Sequence, residues 1–174
     1  MAVLPVIIAP DPRLKVRCQA VGRIDAEVRR LMDDLLESMG PAKGIGLAAP
    51  QVGITRRVIV VDVHGEDEEP NPLALANPEI LSASDEVMVN EEGCLSLPEY
   101  YAEVRRAAAI QVRYVDRQGK VCELAAEGLL ATCIQHEMDH LDGILFVDHI
   151  SALKRNIILR KLTKMKRAAG EAAD

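Results

Sequence analysis

A chain of 174 residues is long enough to bury one core, and a composition of 49% hydrophobic and 28% charged residues excludes a disordered or fibrous polypeptide. Aromatic residues make up only 2%, so the core has to be packed from Leu, Ile, Val, Ala and Met. The net charge of −6 hides an asymmetry: residues 1–150 carry 14 basic and 25 acidic side chains, a net −11, and residues 151–174 carry 7 and 2, a net +5.

At the N-terminus, Pro5, Pro10, Asp11 and Pro12 interrupt the order of basic, apolar and small segments that a signal peptide needs, and a cytoplasmic site is the expectation. No apolar run approaches the ~20 residues of a membrane span. Between Asp25 and Met39, Val28, Leu31, Met32, Leu35, Leu36 and Met39 fall on one helical face, and Asp25 can cap the start. "GPAKGIGLAAPQVG" follows, rich enough in Gly and Pro to break both helix and strand. "RVIVVDV" reads as a buried strand, and further strands are expected at "LALANPEI", "EVMVN", "AAAIQVRYVD" and "KVCELAA", with "DRQG" as the turn between the last two. A helix is expected over 127–141 and another from about Ser151 to Ala169, ended by Gly170. Strands grouped between helices without strict alternation indicate an α+β fold of mostly antiparallel short sheets packed around the 127–141 helix. The division expected is a catalytic body over 1–150 and a basic C-terminal helix over 151–174.

"QHEMDHLDG" places His136 and His140 within about 40° of each other on one helix face, with Leu129 and Cys133. Two histidines at that spacing can reach one metal ion, and Glu137 between them can reach water at that ion, which is the HExxH arrangement. A third ligand decides the chemistry. The pattern HExxHxxGxxH would need His at 146, where Phe146 stands, and a zinc peptidase with a downstream Glu has only Glu171 to offer. The upstream candidate is Cys94 in the short acidic loop "EEGCLSLP"; Cys18, Cys122 and Cys133 read as core thiols. A Cys-His-His set leaves a fourth position open, as catalytic sites do. The alternatives are a zinc metallopeptidase and a non-catalytic metal-binding protein in which Cys133 closes the coordination sphere.

Three motifs stand in order: "GIGLAAPQ" (Gly44 to Gln51), "EGCLSLP" (Glu92 to Pro98) and "QHEMDHLDG". On these the chain resembles the peptide deformylases, over nearly its whole length and in the bacterial class with a C-terminal helix. The resemblance implies a hydrolase that removes the formyl group from the N-terminal methionine of new polypeptides and uses ferrous iron, with zinc, nickel or cobalt as substitutes. It implies Cys94, His136 and His140 as ligands, Glu137 as general base and then acid, and the Gln51 amide with the Leu95 N–H as oxyanion donors. The methionine pocket would be formed by Ile45, Gly46, Leu95, Leu129 and Cys133. Thr132 and Tyr101 stand where many bacterial members have an apolar residue and an arginine. The glycine loop lacks GxxxxGK[ST] and GxGxxG, so no nucleotide is expected. The basic tail, with Lys154, Arg155, Arg160, Lys161 and Lys164, is expected to bind the ribosome near the peptide exit.

Overall fold

In the computed structural model, residues 2–173 are described, and side chains to residue 170. Two helices clasp a five-stranded antiparallel sheet that includes the largely buried run Val58–Asp62. The order along the chain is α1 (Ala26–Met39), β1 (Gly46–Ala48), β2 (Val58–Asp62), β3 (Pro72–Ala83), β4 (Val87–Cys94), β5 (Leu97–Ala107), β6 (Ala109–Val115), β7 (Val121–Glu127), α2 (Gly128–Leu141) and α3 (Ala152–Ala173). The sheet runs β1-β2-β3-β6-β7, and β4 and β5 pair as a separate ribbon.

Strand β2 shows why its sequence is apolar at every position but the last. Val58 and Val60 pack with Val28, Met32 and Leu35 of α1, while Ile59 and Val61 pack with Ile134 and Leu141 of α2. Alternate side chains leave opposite faces of a strand, so a strand covered on both sides has to be apolar throughout. Helix α1 starts where the sequence predicts, with Asp25 Oδ1 accepting from Val28 N–H at 3.0 Å. The "DRQG" turn closes as expected: Asp116 accepts from the Gly119 amide, and Gly119 takes a φ of 85°.

A third apolar cluster lies between the N-terminal segment, the ribbon and α3. It joins Ala9, Leu14, Leu97, Val104, Phe146 and Leu162. Leu162 is fully buried, so α3 is docked on the body rather than projecting from it. Among the described residues no helix is long and apolar enough to cross a membrane.

Four sequence expectations need correction. The glycine-rich stretch does hold a strand: Gly46, Leu47 and Ala48 pair with Val61, Val60 and Ile59, because a ready edge on β2 supplies the hydrogen bonds that local propensity withholds. Strand β5 has no counterpart among the expected strands: in "LPEYYAEVRRA" the apolar Ala102 and Val104 alternate with Tyr101, Glu103 and Arg105 only briefly, and Pro98 and Arg106 interrupt the pattern. Cys94 closes strand β4 instead of lying in a loop. Finally α3 continues through Gly170 to Ala173; one glycine costs a helix about 1 kcal/mol against alanine but keeps its backbone donor, and alanines surround it.

Candidate metal centre

Helix α2 lies under β1 with His136, Glu137 and His140 turned inward, and the end of β4 brings Cys94 over them. One ligand atom each from Cys94, His136 and His140 lies within 4.8 Å of the others. Cys94 Sγ is 3.5 Å from His140 Nε2. His136 is turned by its other nitrogen, because Nδ1 sits 2.9 Å from Glu92 Oε1 and so leaves Nε2 for the centre. Phe146 stacks against the His136 ring at 6.2 Å between centroids.

The donors fit a cation. Burial lowers His140 well below the usual imidazole value and leaves it neutral, with a lone pair to give. Burial also acts to lower His136, but contacts with Cys94 and Glu92 outweigh it and raise that ring well above its ordinary value. The surrounding acceptors therefore draw positive charge to this point, and a divalent ion satisfies them as a proton would. Glu137 Oε2 and His140 Nδ1 are buried without a hydrogen-bond partner among the described residues. Burial pushes the Glu137 carboxyl up to about 7, against the opposing pull of His136 and Arg106.

Gln51 is held so that its amide nitrogen faces the sulfur. Its Oε1 accepts from the Ala48 amide at 2.9 Å, which settles which end is which. Nε2 then donates to Ser96 Oγ at 3.1 Å and lies 3.5 Å from Cys94 Sγ. The glycine at 46 is required here, since a Cβ would fall 2.8 Å from both Cys133 Sγ and Glu137 Oε1.

A cavity of about 460 Å³ opens above the triad, lined by Ile45, Gly46, Gln51, Leu95, Leu129, Cys133 and Glu137 among others. Cys133 stands outside this group of ligand atoms: its thiol donates to the Ile45 carbonyl at 3.4 Å, and burial raises it well above the usual thiol value. Thr132 is buried and accepts from Asn90 Nδ2 at 3.1 Å, which makes that wall partly polar. Tyr101 is 63% exposed at the cavity mouth and lies flat over Gly93, its cross-strand partner, where a Cβ would meet the ring at 2.5 Å.

The site also contains charges that sequence reasoning missed. Arg106 Nε and Nη2 donate to Glu92 at 2.6 and 2.9 Å, Arg106 Nη1 donates to Asp139 at 2.9 Å, and His149 Nε2 lies 2.8 Å from Asp139. Burial would raise the Glu92 carboxyl, but the bonds from His136 and Arg106 outweigh it and hold it at about 2. One signal was available: Arg106 stands two residues after the buried Val104, on the inward side of β5, where a cation needs a buried counter-charge.

Comparison with known proteins decides the family, because the family model described as "Polypeptide deformylase" matches residues 3–156. The chain belongs to the polypeptide deformylase family. It is similar to the peptide deformylase of Agrobacterium fabrum strain C58, with 55% identity over 168 residues that cover 97% of this chain and 99% of that one. The peptide deformylase of Rhizobium meliloti strain 1021 is 54% identical over 173 residues, 99% of each chain. Among solved structures, the crystal structure of peptide deformylase from Ehrlichia chaffeensis superposes with a TM-score of 0.92 at 37% identity, covering 97% of this chain and 99% of that chain. The deformylase fold thus carries a Cys-His-His metal site at the junction of ribbon and helix.

Proposed function

We propose that this deformylase hydrolyses the N-terminal formamide of newly synthesised formyl-methionyl polypeptides, releasing formate, with the residues of the site dividing the work as follows. The observation that carries the reading is the convergence of Cys94, His136, Glu137 and Gln51 on the wall of one open cavity, with His140 buried beside Cys94 and His136. Cys94, His136 and His140 would hold a divalent ion, which when bound would supply Lewis acidity and a water made nucleophilic near neutral pH. Glu137, buried and drawn toward a pKa of about 7, accepts the water's proton and returns it to the leaving amine. The Gln51 Nε2 and the Leu95 N–H donate to the oxygen that gains charge, and fixed donors of this kind need no reorganisation during the reaction. Ile45, Gly46, Leu95, Leu129 and Cys133 hold the methionine side chain.

A thiolate with two imidazoles accepts zinc, iron, cobalt or nickel, and ferrous iron is the ion proposed for the working enzyme. The body over residues 1–150 is proposed as the catalytic unit, acting in the cytoplasm. Helix α3 is proposed to dock on the ribosome through Lys154, Arg155, Arg160, Lys161 and Lys164; all but the half-buried Arg155 are exposed, alongside Leu153. The central test is formate release from a formyl-Met-peptide by protein loaded anaerobically with each metal. Glu137→Gln should keep stoichiometric metal yet lose roughly 10²-fold or more in kcat, and full activity in that variant would end the assignment. Cys94→Ala should lose the metal itself. Charge reversal of Lys161 and Lys164 should weaken low-salt co-sedimentation with ribosomes while leaving peptide hydrolysis unchanged.

A further inference from the structure

Beside the contact that orients a metal ligand, strand β4 and helix α2 make a second one that takes no part in holding the metal. Glu92 meets His136 at 2.9 Å, and one step back along both elements Asn90 Nδ2 donates to Thr132 Oγ1 at 3.1 Å. The spacing dictates this, since two residues along a strand and four along a helix return to the same face. Both side chains line the cavity, together with Leu129 and Cys133, which are assigned to the methionine side chain. A wall suited to an apolar side chain therefore carries a polar pair.

Thr132 is 4% exposed, yet its hydrogen-bonding capacity is only partly used. A helical threonine can give its hydroxyl hydrogen to the carbonyl one turn back, as Thr163 does to Leu159. Among the described residues the Thr132 hydroxyl has Asn90 as its one hydrogen-bond partner and accepts from it, so its own hydrogen remains to be given. Turning the Asn90 amide over does not change the outcome: Thr132 then donates to the Asn90 oxygen, and the amide nitrogen keeps both of its hydrogens. In either arrangement the pair has a donor to offer at the cavity wall. An unpaired donor in a closed pocket is costly, so a side chain that brings an acceptor gains over one that brings none. A methylene brings none, a thioether sulfur is a weak acceptor, and the oxygen of an oxidised methionine is a polar one.

We propose that Asn90 and Thr132 are specificity-determining residues that extend the substrate range to formyl-methionine sulfoxide, their free donor meeting the sulfoxide oxygen of an oxidised first residue. The inference rests on the deformylase reading and on the pocket assigned to the first side chain. The reaction itself is unchanged: water adds to the formyl carbon, the C–N bond breaks, the amine takes a proton and formate leaves, while the sulfur keeps its oxidation state. A contact remote from the formyl carbon is felt alike in the bound substrate and the transition state, so the pair acts on KM.

The test measures formate release by metal-replete protein from peptides identical beyond the first residue. That residue is formyl-methionine, formyl-norleucine with a methylene in place of sulfur, or formyl-methionine sulfoxide with its two sulfur epimers assayed separately. In the wild type at least one sulfoxide epimer should match or exceed norleucine in kcat/KM, whereas an apolar wall would reject it. Asn90→Leu with Thr132→Val removes the pair and keeps the wall filled. The ratio of sulfoxide to norleucine kcat/KM should then fall about tenfold, through KM, with stoichiometric metal retained. If that variant fails to hold metal, Asn90→Ala with Thr132→Val is read on the same ratio. Two results overturn the proposal: both epimers below norleucine in the wild type, or a ratio that falls by less than about threefold when the pair is removed. Either leaves formyl-methionine turnover intact. If formyl-methionine itself releases no formate, the deformylase reading fails and takes the proposal with it.

Discussion

Replacing Arg106 with methionine isolates the charge balance beneath the metal centre. Arg106 is 7% exposed and its guanidinium gives two bonds to Glu92 and one to Asp139, and the Glu92 side chain is itself only 5% exposed. Asp139 can recover water at 23% exposure, so the cost falls mainly on Glu92. Removing one partner of a buried ion pair typically costs about 3–5 kcal/mol, because the remaining charge is desolvated and unpaired. For a chain of this size that lowers Tm by roughly 6–20 °C. Urea unfolding with an unchanged m-value measures the loss directly. Metal affinity should fall by about 10–100-fold in the same variant, since Glu92 orients His136. The decisive control is Arg106→Met with Glu92→Gln. If the stranded charge is the cause, the double variant is more stable than Arg106→Met alone. A loss below about 1 kcal/mol in the single variant, or a double variant less stable than the single, refutes the reasoning.

Gly46→Ala puts a Cβ 2.8 Å from Glu137 Oε1, and displacing that carboxylate should cost about 10²-fold in kcat/KM with metal still bound, measured by steady-state kinetics on metal-replete protein. Leu162→Ala should destabilise by about 2–5 kcal/mol in urea unfolding, because the side chain is fully buried between α3 and the body; a change near zero would mean that α3 is not docked in solution. The Asp148 carboxyl is pushed up by burial but held below its ordinary 3.8 by Lys15 and the Leu145 amide. Its stabilisation is therefore complete above 3.8 and disappears as pH falls through the lower folded-state value, so the Tm difference between wild type and Asp148→Asn should be constant at neutral pH and close in acid.

Features set by local chemistry were legible in the sequence. Helix α1 follows from its apolar stripe and the Asp25 cap, β2 from an apolar run covered on both faces, and the two histidines from their spacing on one side of α2. Features set by long-range pairing were not. Strand β1 borrows its hydrogen bonds from β2, and β5 hides behind an outward face rich in Glu103, Arg105 and Tyr101 and an inward face that buries Arg106. The Glu92–Arg106 pair joins residues 14 apart in the chain and emerges only once the ribbon is folded. In α3 the charges outnumber the few apolar side chains, so its helical form was legible but not how firmly it docks, a contact that Leu162 bears.

The three ligands belong to two separate pieces of structure, with Cys94 on the ribbon and both histidines on α2, 46 residues from the sulfur to His140. A two-stranded hairpin is marginally stable by itself and depends on what it is fastened to. An ion gripped from both sides is thus a rivet, and its binding energy becomes folding energy: at a thousandfold excess over Kd, binding to the folded state alone adds about 4 kcal/mol. Thermal stability becomes a gauge of metal loading, and stripping the ion should loosen the Val87–Ala107 ribbon before the sheet beneath α1 and α2 gives way.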